Sequence, residues 1–349
     1  TMKGKSVTRK AGWDTHGLPV ELEVEKILGL DGKQQIEGYG IEPFIGECKK
    51  SVWKYLHDWE EMSEQVGYWV DMEHPYITYH DDYIESEWWS LKTIHEKGLL
   101  YQGHKIVPYC PRCGTALSSH EVAQGYKNVK ETSAFVRFAV KGEENTYFLA
   151  WTTTPWTLPS NLALCVNPRD AYCKFNVEGQ TIIMAKALIP AIYPDKEIEV
   201  VCEMPCRELC GMEYEPLFDF AVGKLDKKAW FVVADDYVDR EFGTGIVKIT
   251  PAHDPNDFLV GKRHGLEEIN IMNGDGTINE LAGAKYAGLN RFKCREAIVA
   301  DLEEGGYLDH IEDLDNQVGH CYRCHEVVES RLSKQWFVKM EPLARPAIE

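Results

Sequence analysis

The sequence predicts an α/β protein of 349 residues in which a β-rich segment interrupts a mixed helical one. Two observations carry this prediction. Apolar residues recur at helical spacing over 20–28, 43–66 and 82–97, whereas short alternating runs begin at about Thr132. A Cys-x-x-Cys pair precedes the β-rich segment and another follows it. The length suffices for roughly two or three domains, each able to bury its own core.

The first part of the chain is predicted to be helical. A helix over 20–28 should stop at Gly29, and the helix over 82–97 should stop at Gly98. Aromatic residues recur along the helices at 43–66 and 82–97. We expect these aromatic side chains to pack in a core rather than to stack on bases. They are Trp53, Tyr55, Trp59, Trp88 and Trp89.

The middle of the chain is predicted to be a compact β-rich domain at roughly 128–312. Its alternating runs are separated by Gly, Asn, Asp and Pro turns. The predicted strands are 134–140, 147–152, 172–177, 180–184, 197–202 and 230–234. Helices are expected at 256–264 and 291–304.

Composition bounds the function. No run of 18 apolar residues exists and the N-terminus lacks the apolar core of a signal peptide, so we expect no membrane span. Eleven cysteines with Cys-x-x-Cys spacing fit a reducing compartment, and we expect a cytoplasmic protein. The net charge of −18 argues against tight RNA binding by the chain as a whole.

The two cysteine pairs predict a structural zinc site. Cys110-Pro-Arg-Cys113 and Cys321-Tyr-Arg-Cys324 have the spacing of tetrahedral thiolate sites, and four thiolates leave no open position. One ion would close the base of the β-rich segment like a clasp. The alternatives are two unrelated turns with buried thiols, or a site in which a histidine replaces a cysteine. The candidate histidines are His104, His120, His320 and His325.

Two further blocks carry chemistry. Trp151-Thr-Thr-Thr-Pro-Trp-Thr-Leu-Pro-Ser-Asn161 places the hydroxyls of Thr152, Thr153 and Thr154 in a row and ends in an amide. Gly243-Thr-Gly-Ile-Val-Lys-Ile-Thr-Pro-Ala-His-Asp-Pro-Asn-Asp257 offers a lysine, a threonine and two carboxylates after a Gly-Thr-Gly turn. A threonine run alone is usually a strand. Together the blocks could orient a water and hold an ammonium group without a metal or a Ser–His pair.

Several motifs resemble those of class I aminoacyl-tRNA synthetases of the isoleucyl, valyl and leucyl group. Gly12-Trp-Asp-Thr-His-Gly-Leu-Pro-Val-Glu21, Gly67-Tyr-Trp-Val-Asp-Met72 and Tyr109-Cys-Pro-Arg-Cys-Gly-Thr-Ala-Leu-Ser-Ser-His-Glu121 resemble the isoleucyl pattern, as does the threonine block. From about Asp239 onward the second block, Val318-Gly-His-Cys-Tyr-Arg-Cys324 and Leu332-Ser-Lys-Gln-Trp-Phe-Val-Lys-Met340 look more like the valyl pattern. We therefore expect an isoleucyl-like front and a valyl-like back, whether by ancestry, recombination or engineering.

The resemblance implies a partial class I Rossmann catalytic domain that carries an inserted β-rich editing domain and a zinc knuckle. The implied segments are 1–100 (catalytic and helical connective), 101–127 and 313–330 (the zinc-knuckle strands), 128–312 (editing) and 331–349 (return to the catalytic domain). The family's ATP-binding signatures do not occur here. We therefore expect ATP and Mg²⁺ to serve only the full-length parent, which attaches isoleucine to its tRNA.

The resemblance also implies post-transfer editing, in which the ester of a mischarged tRNA 3′ end is hydrolysed. Asp257 matches the carboxylate that holds the amino acid's ammonium group, and the three threonines would orient the water. Further substrate contacts implied are Asn161, Lys248, Thr250 and Asp254. Lys248 would meet the terminal adenosine or its phosphate. Asp254 could equally be a helix N-cap.

Other roles and functions remain open. In the synthetic site, the resemblance implies that Asp14 binds the amino group and that Gln335 and Trp336 lie near the same pocket. His253 is more readily a capping or solvated residue than a general base. The alternative functions are a non-catalytic zinc-stabilised module that positions the tRNA 3′ end, valyl-type editing of Thr-tRNA(Val), and an inactive fragment.

Overall fold

The computed structural model describes residues 2–221 and 223–349 and divides the chain into two compact units. One unit contains the chain up to Gly103 together with Lys334–Glu349; the other is His104–Ser333. The predicted organisation, an α/β part interrupted by a β-rich part, is confirmed. The described residues contain no helix that is long and apolar enough to cross a membrane.

The first unit is built of helices and two short parallel strands that pair with each other. Val24, Ile36 and Phe44 form its small buried cluster. The first helix ends at Gly29, which adopts the left-handed conformation expected of a C-terminal glycine. The elements are β1 (Lys10–Trp13), α1 (Leu18–Leu28), α2 (Lys33–Tyr39), α3 (Ile41–Ser51), α4 (Leu56–Gln65), β2 (Asp71–Ile77) and α5 (Asp81–Glu96).

The single helix predicted over 43–66 is wrong, because α3 ends at Ser51 and α4 begins at Leu56. The intervening residues include Val52, Trp53 and Tyr55, which are weak helix formers. The indole N–H of Trp53 donates a 3.1 Å hydrogen bond to the hydroxyl of Tyr79. This bond fixes the chain at the break.

The expectation that the aromatic stripes pack in a core is also wrong for four of the five residues. Tyr55, Trp59, Trp88 and Trp89 have 49%, 54%, 66% and 68% of their surface exposed. None of the residues of α5 is buried. The apolar face of this helix instead lines an open groove of about 830 Å³, which Trp336 also lines.

The second unit is dominated by one sheet. Its elements are β3 (Leu100–Cys110, which enters from the first unit), β4 (Thr115–Ala116), α6 (Ser119–Ala123), β5 (Tyr126–Ala139), β6 (Thr146–Thr152), β7 (Ala163–Val166), β8 (Ala171–Val177), β9 (Gln180–Ala185), α7 (Ile189–Ile192), β10 (Glu199–Pro205), α8 (Cys206–Leu209), β11 (Phe231–Ala234), β12 (Ile246–Ile249), α9 (Pro255–His264), α10 (Arg291–Glu304) and β13 (Leu308–Gly319). The chain leaves along β14 (Glu329–Val338) and ends in α11 (Glu341–Ile348), back in the first unit.

The sheet has nine strands. Seven follow the order β10-β8-β9-β6-β12-β7-β11, and β5 pairs with both β6 and β13. The β5–β13 ribbon is antiparallel and runs from the Tyr126–Gly319 pair to the Val136–Leu308 pair. The main core includes side chains of the sheet and of α10, for example Phe148, Ile183 and Ile298.

The strands predicted by alternation are all present, and the two predicted helices coincide with α9 and α10. Three strands of this sheet were missed, as were β1 and β2 in the first unit. β7 and β12 have four residues each and are almost wholly buried, so they show no alternation. β13 carries polar residues on both faces, as in Asp309, Glu312 and Asp315, and its partner strand rather than its own pattern defines it.

Candidate functional site

The two cysteine pairs meet in space. Cys110 ends β3, Cys113 follows it, and Cys321 and Cys324 come directly after β13. The Sγ atoms are 3.4 Å apart for Cys110 and Cys324, 3.5 Å for Cys113 and Cys324, and 4.0 Å for Cys113 and Cys321. All four lie within 4.8 Å of one another. A tetrahedral ion with metal–sulfur bonds of about 2.3 Å would separate its sulfurs by about 3.8 Å, so this group could hold a metal.

The electrostatics of the cluster point the same way. Hydrogen bonding from Cys113 lowers the pKa of the Cys110 thiol to about 5, and burial raises the pKa of Cys324 to about 11. Ionising all four thiols therefore requires a positive charge among them. The alternatives with a histidine ligand find no support: the metal-holding group among the described residues consists of cysteines alone, and the His320 ring nitrogen Nδ1 lies 2.9 Å from the carbonyl oxygen of Val318.

A polar cavity of about 350 Å³ lies in the same unit and brings the two sequence blocks together. Thr152 ends β6, Lys248 lies on β12, and the two strands are hydrogen-bonded neighbours through Trp151 and Val247. Asp257 lies in the first turn of α9. The adjacency of β6 and β12 is thus what joins the threonine block to the lysine and aspartate.

The Gly-Thr-Gly turn packs against Trp151, a residue of the cavity lining. Gly243 has a φ of +70°, and a Cβ atom there would lie 1.7 Å from the indole nitrogen of Trp151. A side chain is therefore excluded both by the backbone conformation and by the ring. The backbone of the turn is therefore in close contact with the indole ring of Trp151, just before β12 begins.

Asp257 is 3% exposed and is held by three donors. Its Oδ2 accepts hydrogen bonds from the backbone N–H and the hydroxyl of Thr250, at 2.8 and 3.1 Å. Its Oδ1 accepts one from the hydroxyl of Tyr237 at 2.9 Å. Asp254 is the N-cap of α9, because its Oδ1 accepts from the backbone N–H groups of Asn256 and Asp257. Both oxygens of the Asp257 carboxylate are therefore fixed.

Lys248 connects the two blocks. Its buried Nζ donates to the hydroxyls of Thr157 and Thr250, at 2.8 and 3.0 Å. An ammonium group only donates, so both hydroxyls accept from it and must pass their own protons onward. Thr157 donates to the carbonyl of Thr154 at 2.9 Å, and Thr250 donates to Asp257. The direction of every hydroxyl in this chain of bonds follows from the charge of Lys248.

Burial perturbs both charged groups. It raises the pKa of Asp257 to about 6, with Lys248 opposing the shift. It lowers the pKa of Lys248, with Asp257 opposing. The charge of each group opposes the pKa shift that burial imposes on the other, which is the arrangement expected of a buried, hydrogen-bonded pair.

The threonine run, Thr152 to Thr154, forms another part of the cavity lining. The hydroxyl of Thr152, a residue only 4% exposed, accepts a hydrogen bond from the backbone N–H of Thr154 at 3.1 Å and lies 3.4 Å from the Thr154 hydroxyl. Thr153 lines the cavity as well. The run is therefore the end of a strand followed by a tight turn, and it presents hydroxyl groups to the cavity.

His253 lines the cavity but is buried, and its Nε2 accepts a hydrogen bond from the backbone N–H of Ile271 at 3.2 Å. Burial, reinforced by the charge of Lys248, lowers its pKa to about 3. A general base works best with a pKa near the working pH. The geometry thus favours a structural role for His253.

Not all of the predicted site residues come together. Asn161 is absent from the cavity lining: its amide nitrogen donates to the carbonyl of Ala163 at 2.8 Å and its oxygen accepts from the hydroxyl of Tyr214 at 2.6 Å. Its side chain therefore ties strands together, and the expected substrate contact has no geometric support. Thr250 does not line the cavity itself; it forms hydrogen bonds with Lys248 and Asp257, which do. Asp14, Gln335 and Trp336 belong to the first unit, where Asp14 is exposed and Trp336 lines the aromatic groove.

Three residues of the cavity escaped the sequence analysis. Thr157 lay within the first block but carried no signal of its own. Tyr237 follows two aspartates in an ordinary loop. Glu329 lies at the start of β14, where its carboxylate accepts a 2.6 Å hydrogen bond from Arg291, a residue only 2% exposed. Only the contacts with Lys248, Asp257 and Arg291 identify them.

The whole chain, residues 1–349, matches the family model of the class I tRNA synthetases (I, L, M and V), and the chain belongs to this family. It is similar to isoleucine–tRNA ligases along its entire length. The identity is 54% over 349 residues to the ligase of Clostridium acetobutylicum and 52% over 348 residues to that of Clostridium novyi. In both comparisons all of this chain is covered, and it spans 33% of the length of the relative.

The expected likeness to isoleucyl-type synthetases is thereby confirmed. The match continues through the second half of the chain, where we expected a valyl-like pattern, so a fusion of two parents is not needed to explain the sequence. A solved editing domain of the Plasmodium knowlesi cytosolic leucyl-tRNA synthetase covers 55% of this chain and 99% of its own, with 10% identity and a TM-score of 0.40. A similarity that loose bears on neither fold nor function.

Proposed function

We propose that this chain is the editing part of an isoleucine–tRNA ligase, and that it hydrolyses the ester of mischarged aminoacyl-tRNA after transfer. The parent enzyme would attach isoleucine to its tRNA with ATP. The observation that carries the proposal is the buried Asp257 carboxylate, held ionised by Lys248 and three hydrogen-bond donors in a cavity lined by hydroxyl groups.

The need for such a site follows from the limits of apolar recognition. One missing methylene group changes binding in a hydrophobic pocket by only about 1–3 kcal/mol. A second pocket can hydrolyse the smaller product, because an activated ester needs little more than a positioned water and an anchored substrate. Family membership and the similarity to isoleucine–tRNA ligases make this second step the natural role for a polar cavity.

In the proposed reaction, the carboxylate of Asp257 binds the α-ammonium group of the amino acid and so fixes the ester. The hydroxyl groups of Thr152, Thr153 and Thr154 orient a water against the ester carbonyl. Attack forms a new carbon–oxygen bond, breaks the bond to the ribose oxygen, and leaves free amino acid and a tRNA with its terminal hydroxyl restored. Lys248 connects the threonine block to Asp257 through its hydrogen bonds to Thr157 and Thr250.

The remaining parts of the proposal concern cofactor, partners and compartment. Cys110, Cys113, Cys321 and Cys324 would bind Zn²⁺, a soft ion suited to four thiolates, in a structural role. The partners would be the 3′ end of a mischarged tRNA and its amino acid. The eleven cysteines are free thiols, which suits a cytoplasmic enzyme of protein synthesis.

The test is release of amino acid from Val-tRNA(Ile) and from Thr-tRNA(Val), measured for the wild type and for Asp257→Ala. We expect hydrolysis that falls by at least about 100-fold in the variant while tRNA binding persists. A matched control is Asp301→Ala, which removes a tyrosine-bound carboxylate from α10, outside the cavity. The preferred ester distinguishes isoleucyl-type from valyl-type editing. A folded wild type that binds tRNA without cleaving either ester would favour the positioning module instead.

A further inference from the structure

Tyr237 contacts the centre of the cavity from a loop that no motif marks. It follows β11, lines the cavity, and donates its hydroxyl proton to Oδ1 of Asp257 at 2.9 Å. Burial raises the pKa of this phenol well above its ordinary value, and the Asp257 charge raises it further. The hydroxyl therefore stays protonated and remains a donor at any pH at which the protein works.

The loop that carries Tyr237 is itself fixed to the helix that carries Asp257. The backbone N–H of Tyr237 donates to Asp235 at 3.3 Å, and Asp235 accepts a 2.8 Å hydrogen bond from Arg263 of α9. Asp257 lies in the first turn of the same helix, less than two turns before Arg263. The loop that carries the phenol and the helix that carries the carboxylate are thus joined by a second contact besides the Tyr237–Asp257 hydrogen bond.

The carboxylate has two oxygens with different partners. Thr250 holds Oδ2 with two hydrogen bonds, and Tyr237 is the described partner of Oδ1. Rotation of the carboxylate about its bond to Cβ would break bonds on both sides. Without the phenol, only the two hydrogen bonds from Thr250 would resist this rotation, which moves both oxygens together.

We propose that Tyr237 is a positioning residue for ester hydrolysis, which acts through Asp257 by keeping its carboxylate ionised and turned toward the substrate ammonium. The inference rests on the editing function proposed above and deepens it. A donor to the ionised form of an acid favours that form. Removing the donor should therefore make the carboxylate easier to protonate as well as freer to rotate.

The charged and titratable groups around Asp257 define what a pH profile would report. Lys248 faces it from β12 and Asp254 from the N-cap of α9. His253 and Glu329 line the same cavity, the latter from β14. His253, with a pKa of about 3, stays neutral through the neutral range, whereas burial raises the pKa of the Glu329 carboxyl as it does that of Asp257. An acid limb that Tyr237→Phe displaces is therefore assigned to Asp257, the carboxylate that Tyr237 contacts.

The test compares the pH dependence of kcat/KM for deacylation in the wild type and in Tyr237→Phe, with uncatalysed hydrolysis subtracted. We expect activity about tenfold lower at pH 7 in the variant and an acid limb displaced by about one pH unit to higher pH. The matched control is Tyr286→Phe, which also deletes a phenol bound to an aspartate, Asp301, but away from the cavity. Its acid limb should coincide with that of the wild type.

A second measurement does not depend on activity. Urea unfolding of Tyr237→Phe, Asp257→Asn and the double variant forms a thermodynamic cycle, which should show coupling between the two sites. The inference would be overturned if the acid limb of Tyr237→Phe coincided with that of the wild type, or if it moved no further than the limb of Tyr286→Phe. It would also be overturned if the cycle showed no coupling between Tyr237 and Asp257. A wild type that hydrolyses no ester would instead defeat the editing proposal itself, so the two failures are separable.

Discussion

The cysteine cluster and the threonine–aspartate cavity are both assembled from distant parts of the chain, yet they are held together in opposite ways. The cluster gathers four acidic groups of one kind, with sulfurs 3.4–4.0 Å apart for the hydrogen-bonded pairs. The cavity alternates donors with acceptors and sets Lys248 against Asp257. Like groups need a cation from outside to be stable, whereas opposite groups stabilise each other. The first centre should therefore depend on a bound metal ion, as proposed above, and the second on its own side chains.

The largest expected effect is that of removing the zinc ion that we propose for the cysteine cluster. A strong chelator, or Cys321→Ala, should lower the free energy of unfolding by roughly 5 kcal/mol or more, because the four thiols would lose their common partner. Thermal unfolding with and without chelator measures this. Cys202→Ser, at an exposed cysteine outside the cluster, is the control and should stay within about 0.5 kcal/mol of the wild type. Unfolding that is indifferent to chelator would show that the cluster, like the cavity, stabilises itself.

The second-largest effect is expected from breaking the charge pair of Lys248 and Asp257 in the cavity. Lys248→Met leaves Asp257 buried without its opposite charge and should cost about 3–5 kcal/mol in urea unfolding. Adding Asp257→Asn to this variant should restore part of the loss, since the unpaired charge is then gone. Lys262→Met, which breaks a surface pair with Glu268, is the control and should cost about 0–1 kcal/mol. An additive double variant would mean that the two charges do not stabilise each other.

The pH dependence of stability sharpens the comparison further. In the folded state His253 titrates near pH 3 rather than at its ordinary 6.5, so between these values it binds less proton than in the unfolded chain. Asp257 titrates near 6 rather than at 3.8, so it binds more. Between about pH 4 and 6 the two contributions have opposite signs and cancel.

Asp257→Asn should remove that cancellation. The variant should lose about 1.4 kcal/mol of stability, relative to the wild type, for each pH unit of descent from 6 to 4. Urea unfolding at a series of pH values checks this, and the difference between the two proteins removes any common effect of acid on the cysteines. Parallel curves for the two proteins would show that Asp257 titrates at its ordinary pH.

The smallest effect concerns the cap of α9. Asp254→Ala removes the acceptor for two backbone N–H groups and should cost about 1 kcal/mol, whereas Asp254→Asn should keep most of the cap. If Asp254 also contacts substrate through its charge, Asp254→Asn will lower deacylation without lowering stability. Equal stability of Asp254→Ala and the wild type would refute the capping role.

The difference between the two centres also explains what the sequence could predict. The cysteine pairs were recognisable because spacing within each pair encodes half of a tetrahedral site, and the structure brings the halves together. The threonine block and Asp257 were recognisable by resemblance. Tyr237 was not, because its role depends on the loop after β11 lying beside the first turn of α9, a contact that no local spacing encodes.

The fold shows the same division. Strand β8, whose buried and less buried residues alternate over most of its length, was predicted by alternation, and α10 by its length and its terminal glycines. Buried β7 and β12 were missed for lack of alternation. The prediction that Trp88 and Trp89 pack in a core was wrong, because helical spacing identifies an apolar face but does not identify what covers it.

The long ribbon of β5 and β13 has a consequence for how the second unit folds. It pairs residues as far apart in sequence as Tyr126 and Gly319, with most of the unit lying between them. The entropy cost of closing a loop grows only logarithmically with its length, so the ribbon is tolerable at equilibrium. The ribbon should nevertheless form slowly, because strand pairings between residues distant in sequence form slowly. We expect local hairpins such as β8–β9 to form first and the ribbon to close last, with metal capture at its base marking the end of folding.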